Sequence, residues 1–407
     1  MNKGINQDIQ FKLLAINLAL VIVGYAMTLM TNSASIIPMR ILKYTVLGLS
    51  FLCTFRIDSK SLGRISTILE PSLLLIVMLV LFSLFTENPL TSIFKTLTFI
   101  VPFIYISFVV TYLAQTYSIS STINALLGVM NWVYMIPIVS FFISGGSLTD
   151  TNIYYISVEN ENTAFVSNHY GWSSTIFIVT GIDLIRNNLI PNWRKFVTYI
   201  TIPVAMYLIL VSGNRTSWLC VSVVLVIAVV RYNGISFPQK AILIIIPILL
   251  ISILLNKKDS ALNTVKAKTE SQSKKGESRI KRSSAMFNYF HENPILFISG
   301  IGMFNNGRAS SIIGKSNYHN SYMEILFGAG IPFFLYFLFL IVIRPGWNYL
   351  LYFSKYYLTL PPLMIIPFFE SNLTGGQFLF FPWFSLVIIF MYAKKIASFK
   401  RDNWHTP

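Results

Sequence analysis

The stretch Ser316-Asn317-Tyr318-His319-Asn320-Ser321-Tyr322-Met323-Glu324 runs directly into Ile325-Leu326-Phe327-Gly328-Ala329-Gly330-Ile331-Pro332. It closes the longest polar segment of the chain and opens a long apolar helix. His, Asn, Tyr and Glu gather there in a sequence that is otherwise mostly apolar. A histidine at the lip of a membrane helix, preceded by a basic loop, points to chemistry at a membrane surface.

Working outward, composition sets the class. Apolar residues make up 54% of the chain, charged residues only 11%, and mean hydropathy is +0.64. Apolar runs of about 20 residues recur along the sequence and read as membrane-spanning helices. The fold class is all-α: a polytopic integral membrane protein with about 12 transmembrane helices and a large extracytoplasmic loop containing short helices. The spans are expected near 11–30, 37–55, 67–85, 93–114, 121–143, 164–184, 194–211, 216–231, 240–255, 320–343, 350–369 and 375–393. Three parts follow: helices 1–9 in residues 1–255, the loop in 256–319, and helices 10–12 with a tail in 320–407. The run from Phe11 to Met30 is too long for a signal-peptide core and reads as the first span.

Charge gives the orientation. Arg56, Lys60 and Arg64 share one short loop, and Arg186, Arg194 and Lys195 share another. Arg231 and Lys240 flank a third, Arg344 lies in a fourth, and Lys394, Lys395, Lys400 and Arg401 lie in the tail. Twelve spans put all of these on one side, which the positive-inside rule makes cytoplasmic. The net charge of +16 is then not a nucleic-acid signal, since cytoplasmic loops and anionic lipid absorb much of it. Cys53 and Cys220 sit in apolar runs, with neither disulfide nor metal spacing.

The same count puts the turn around Arg215 and the loop from Asn256 to Tyr318 on the outer face. That loop carries eleven basic against four acidic residues, a net of +7. Loops this long cross regardless of charge, and cations held outside call for an anionic partner. From Glu277 the spacing of Ile280, Met286, Phe287 and Phe290 predicts an amphipathic helix on the membrane surface, stopping at Asn293-Pro294.

Several side chains have two readings. Arg215 is an interfacial snorkelling arginine or a guanidinium presented to a phosphate, which its fork of donors suits. Arg279 and Arg282, three residues apart on one helix face, bind lipid phosphate or a substrate. Residue type alone favours a structural role for His319 over that of a neutral base. Glu370 is a rim charge, a partner for an arginine or a ligand for sugar hydroxyls. Asn168 is a weak candidate for a sugar hydrogen bond. No metal site is expected, because His169, His291 and His405 show no ligand spacing with His319.

The order of motifs resembles the O-antigen ligase / O-antigen polymerase superfamily. The residues that carry it are Ser212, Gly213, Arg215 and Trp218; Arg279; Pro294, Gly300 and Gly302; His319, Asn320, Glu324, Gly328 and Ile331; and Glu370-Ser371. One departure is Arg282-Ser283-Ser284, where the family has an aromatic residue, so Arg279 and Arg282 compete for one role. The resemblance implies a glycosyltransferase of the bacterial cytoplasmic membrane with its site facing outward. Its donor would be a polyprenyl-diphosphate-linked glycan, and it would need no cofactor or metal. By the resemblance, Arg215 and Arg279 hold the diphosphate and His319 acts at the acceptor hydroxyl. Arg282, Glu370, Asn320, Tyr318 and Asn168 would bind substrate. A chain-length regulator and a flippase are possible partners. The implied activity is polymerisation of repeat units, with ligation of a finished glycan to lipid A core as the alternative. A transporter of the same lipid is a second alternative, weakened by the absence of repeat symmetry.

Overall fold

A computed structural model describes Asp8, Lys12, Thr45 and residues 59–143, 167–212, 215–231, 278–314, 320–361 and 377–400. Among these residues every regular element is helical. The expected spans at 11–30, 37–55 and 240–255 lie outside the described residues, apart from Lys12 and Thr45.

The helices are α1 (Ser59–Leu84), α2 (Pro89–Thr116), α3 (Ile119–Val133), α4 (Met135–Ile143), α5 (Ser167–Arg186), α6 (Asn192–Ser212) and α7 (Arg215–Arg231). In the loop region come α8 (Ser278–Glu292), α9 (Leu296–Ser299) and α10 (Asn306–Ile313). Then follow α11 (Ser321–Leu338), a π turn at Phe339–Ile343, α12 (Arg344–Asn348), a second π turn at Tyr349–Phe353, and α13 (Gln377–Lys400). Local chemistry explains several boundaries. Pro89 opens α2, where its missing N–H costs nothing. Ser118 caps α3 by accepting from Ser121 N. Asn188, at φ 55°, turns the chain between α5 and α6.

α13 lies at the centre. From Ser385 to Ala393 every side chain is buried, as in a helix enclosed on all sides. It packs against α1, α2, α3 and α12, while α5 packs against α3, α4, α6 and α7. The outer surface is apolar. Ile331, Leu335, Phe339, Ile343, Trp347 and Leu351 form an exposed row at a spacing of four, one stripe of a continuous helical path. Meanwhile Ser72, Ser83, Thr96, Thr111, Asn124 and Asn131 are buried inside. Apolar groups outside and small polar groups within suit a bundle solvated by lipid. Two helical runs, Ile119–Ile143 and Ser321–Phe353, are long and apolar enough to cross a membrane, and Ser72–Leu84, Phe103–Thr116 and Thr216–Ile227 are shorter apolar helices.

One expected break is absent. The sequence places Arg344 in a loop between two spans, whereas the chain stays helical through Phe353. Pro345-Gly346 reads as a turn, but the π turn before it absorbs the proline: Arg344 N bonds back five residues to Phe339 O. The Arg344 guanidinium stands 5.7 Å from the centre of the Tyr392 ring, which gives the charge a partner inside the bundle.

The bundle has two distinct ends. At the basic end Arg186 donates to Lys355 O at 3.0 Å and Asn187 to Tyr356 O at 2.7 Å. Both carboxylate oxygens of the buried Asp183 accept from Leu358 N, at 2.8 and 2.7 Å. Lys395 pairs there with Glu70 at 3.9 Å. At the opposite end, the loop end, the turn after α1 meets residues 302–307. Met303 N donates to Phe82 O at 3.1 Å.

Candidate functional site

The loop end is built around a broken helix. Gly330 has φ 80° and ψ 174° and interrupts α11, and Pro332 has no N–H to give the Gly328 carbonyl. Two carbonyls beside the break are taken by another segment. Phe327 O accepts from Ile301 N at 2.8 Å, and Gly328 O accepts from Gly302 N at 2.9 Å. The backbones approach so closely that side chains are excluded. A Cβ on Gly300 would stand 2.4 Å from Gly328 O, and one on Gly330 would stand 2.2 Å from Ile298 O. The Gly-x-Gly of one segment and the Gly-x-Gly of the other are thus two halves of one joint.

Below this joint α8, α9, α10 and α11 share a small core of their own. Met286 and Phe290 of α8 meet Leu296, Ile301, Ala309 and Phe327. Phe327 takes the ring of Phe287 at 5.1 Å and that of Phe290 at 5.4 Å. Arg282, Met286 and Phe290 are buried at a spacing of four, so Arg282 lies on the inward face of α8. Arg279 precedes Met286 by seven residues, two turns, and its backbone position is on that same face. The expected surface helix is therefore corrected. Met286 and Phe290 fill a protein core, and Phe287 is exposed. Its stop at Asn293 is as expected: the Asn293 side chain donates to Tyr289 O at 3.0 Å.

Asn320 caps α11, its side-chain oxygen accepting from Tyr322 N at 3.0 Å and Met323 N at 3.3 Å. That fixes where α11 begins. Glu324, in the first turn, is buried and favourably placed against the helix dipole. Tyr318, His319 and Glu370 lie outside the described residues. Asn168, Arg215 and Arg279 are described as backbone only. Arg215 opens α7, and Asn168 is the second residue of α5.

Connectivity relates these positions. The C-terminus of α5 is at the basic end, so its N-terminus, with Asn168, is at the loop end. α6 returns, and α7 starts at the loop end with Arg215. Val179 of α5 packs with Val224 of α7, and Ile182 and Ile227 join the same cluster, as parallel neighbours require. α11 also begins at the loop end, because its far end carries the turn clamped by Arg186. The helix starts at Asn168, Arg215 and Asn320 and the inward face of α8 therefore share one end of the bundle. Three helix N-termini there add positive potential to that of the arginines.

Sequence reasoning missed Arg308. It stands in the first turn of α10, donates to the Tyr289 hydroxyl at 2.9 Å and lies 5.7 Å from that ring's centre. It ties α10 to α8. Asn305 Oδ1 accepts from Arg308 N at 3.3 Å, and Gly314 ends α10 in the left-handed conformation.

A bundle that is helical throughout the described residues, apolar on its exterior and with cationic and capping residues gathered at one end, has the character of a membrane protein with a candidate site at that end. Compared with known families, residues 200–338, about a third of the chain, match the family described as O-antigen ligase. The match supports, for this segment, the resemblance to the O-antigen ligase and polymerase superfamily. It spans Arg215, α8, both glycine pairs and α11, and leaves Asn168 and Glu370 outside. No curated protein matches the chain.

Proposed function

We propose that the protein is a glycosyltransferase that joins polyprenyl-diphosphate-linked repeat units on the outer face of the bacterial cytoplasmic membrane. The observation that carries this reading is the gathering at one end of the bundle of the start of α7, at Arg215, and the start of α11, after Asn320, with the face of α8 that bears Arg282. A guanidinium presents a planar fork of donors that matches phosphate oxygens, and a lipid-borne diphosphate is an anion held at a membrane surface. Arg215, with Arg279 or Arg282, would hold the diphosphate. His319 would take the proton of an acceptor sugar hydroxyl. The hydroxyl oxygen attacks the anomeric carbon from the face opposite the leaving group, the bond from that carbon to the phosphate oxygen breaks, and its electron pair passes to the diphosphate. The cations stabilise this developing charge, and the anomeric centre inverts. Glu370, Tyr318 and Asn168 would contact sugar.

The positive-inside arrangement supports an outward site, with residues 1–255 and 320–407 as the membrane body and 256–319 as the outer segment. The family description favours a second reading, transfer of a finished glycan to lipid A core. Purified protein in liposomes with lipid-linked repeat units separates the two. Lengthening of the glycan supports polymerisation. Product formed solely when lipid A core is added supports ligation. No transfer under either condition overturns the assignment as a glycosyltransferase.

A further inference from the structure

We propose that residues 294–304, inside the segment expected to stand in the extracytoplasmic space, form a re-entrant turn immersed in the hydrocarbon of the leaflet at the loop end. The partner surface is lipid acyl chain. From Asn293 to Gly307 the chain carries no charged residue, and the flanking residues Glu292 and Arg308 are charged. On α9, Ile295 is 67% and Ile298 is 63% exposed. In water two such side chains on a four-residue helix would be a liability, but here they extend an existing surface. Ile298 O lies against the α-carbon of Gly330, and Gly330 is followed at once by the lipid-facing row from Ile331 to Leu351. On the other flank a Cβ at Gly302 would lie 2.6 Å from Thr86 Cγ2 and 2.9 Å from Phe85 O. Phe85, in the turn after α1, is 77% and Leu90, in α2, is 72% exposed, so the apolar surface continues to the level of Gly302, and the exposed Glu87 beside Gly307 marks its edge.

The backbone donors of residues 300–303 meet the condition that hydrocarbon imposes. Non-helical chain at membrane depth survives only when its polar groups are satisfied by protein. The N–H groups of Gly300, Ile301, Gly302 and Met303 bond in turn to Leu296 O, Phe327 O, Gly328 O and Phe82 O. Four consecutive donors are thus closed off from lipid. The break in α11 is what frees the carbonyl oxygens for two of them. The consequence for the proposed activity, on which this clause alone depends, is depth: a turn floating in the leaflet holds α8 and Arg282 at headgroup level, where a lipid phosphate sits.

Depth is measurable without any activity assay. Nitroxides are attached at Ile295→Cys and Ile298→Cys in full-length protein whose own cysteines are replaced by C53A and C220A, reconstituted in bilayers. Leu335→Cys is the lipid reference and Ser311→Cys the aqueous one. Power saturation with oxygen and with a water-soluble nickel chelate should give oxygen-dominated relaxation at 295 and 298, matching 335. Relaxation dominated by nickel, matching 311, overturns the proposal. Hydroxyl-radical footprinting of the unmodified protein in nanodiscs gives a second reading that needs no substitution: Ile295 and Ile298 stay unoxidised despite their exposure, and oxidation of both to the level of exposed polar-loop residues refutes immersion.

Discussion

Replacing Gly330 by Ala attacks the joint at its tightest point. Its φ of 80° and ψ of 174° lie in a region that is essentially glycine's alone, and a residue with a Cβ held there is strained by about 1–3 kcal/mol. The new methyl would also start 2.2 Å from Ile298 O, a backbone atom with no rotamer to retreat into. Relief requires the two segments to separate, which opens the bonds from Ile301 N to Phe327 O and from Gly302 N to Gly328 O. Each contributes about 0.5–1.5 kcal/mol. Together the substitution destabilises by about 4 kcal/mol, a large part of a typical total of about 5–15 kcal/mol. Two glycines calibrate the result. Gly314, at φ 68°, has nothing within 4 Å of a built Cβ, so Gly314→Ala costs about 1 kcal/mol of backbone strain alone. Gly346 lies in α12 with ordinary helical φ and open space around it, so Gly346→Ala stabilises by about 0.5–1 kcal/mol. Thermal unfolding in detergent should rank the three in that order, with exchange of the Ile301 and Gly302 amides accelerated only in Gly330→Ala. A Gly330→Ala protein no less stable than Gly314→Ala, with those amides still protected, would refute the joint.

Arg282→Ala is expected to lower glycan transfer by about 10²–10³-fold, as for loss of one charge-stabilising donor, with Arg282→Lys failing to restore it because the planar fork is lost; the readout is the transfer rate per folded protein, with Ala and Lys variants compared at equal folded amounts. Phe327→Ala removes the ring packed between Phe287 and Phe290 and should cost about 3–5 kcal/mol, read as early proteolytic cleavage within 278–313. At the basic end, the Tyr117 hydroxyl and then the Lys12 ammonium hold the Asp8 carboxyl below the usual carboxylate range, through contacts of 2.5 and 3.0 Å. A carboxyl lowered on folding contributes stability above its ordinary value and loses it as pH falls through the folded value. The melting temperature should therefore fall less steeply with acidification in Asp8→Asn than in the wild type, and identical acid profiles would show that the contact contributes nothing.

Much of the architecture was legible because lipid imposes long apolar runs. The helices at 59–84, 89–116, 167–186, 192–212, 215–231 and 377–400 fall where hydropathy places them, as does the stop at Asn293-Pro294. Two features escaped for physical reasons. Pro345-Gly346 reads locally as a turn, and only the packing of Arg344 on Tyr392, together with the π turn, keeps the helix going. Ile280, Met286, Phe287 and Phe290 read as a membrane-binding face, but a helical period does not say whether lipid or protein covers it. Phe327, distant in sequence, provides the cover. Gly300, Gly302 and Gly328 were visible as motif residues. Their pairing was not, because it depends on which carbonyl oxygens a broken helix releases. Of the candidate site, the face bearing Arg279 and Arg282 follows from spacing, and Arg308 carried no signal beyond its charge.

The central claim is that the start of α7 and the start of α11 border one substrate site. It is tested most directly by cross-linking Thr216→Cys to Tyr318→Cys, in membranes, with a short bifunctional thiol reagent. The account predicts an efficient intramolecular cross-link that lipid-linked glycan slows by occupying the gap. Two thiols that each react fully with a monofunctional reagent yet never join, with or without that lipid, would contradict it.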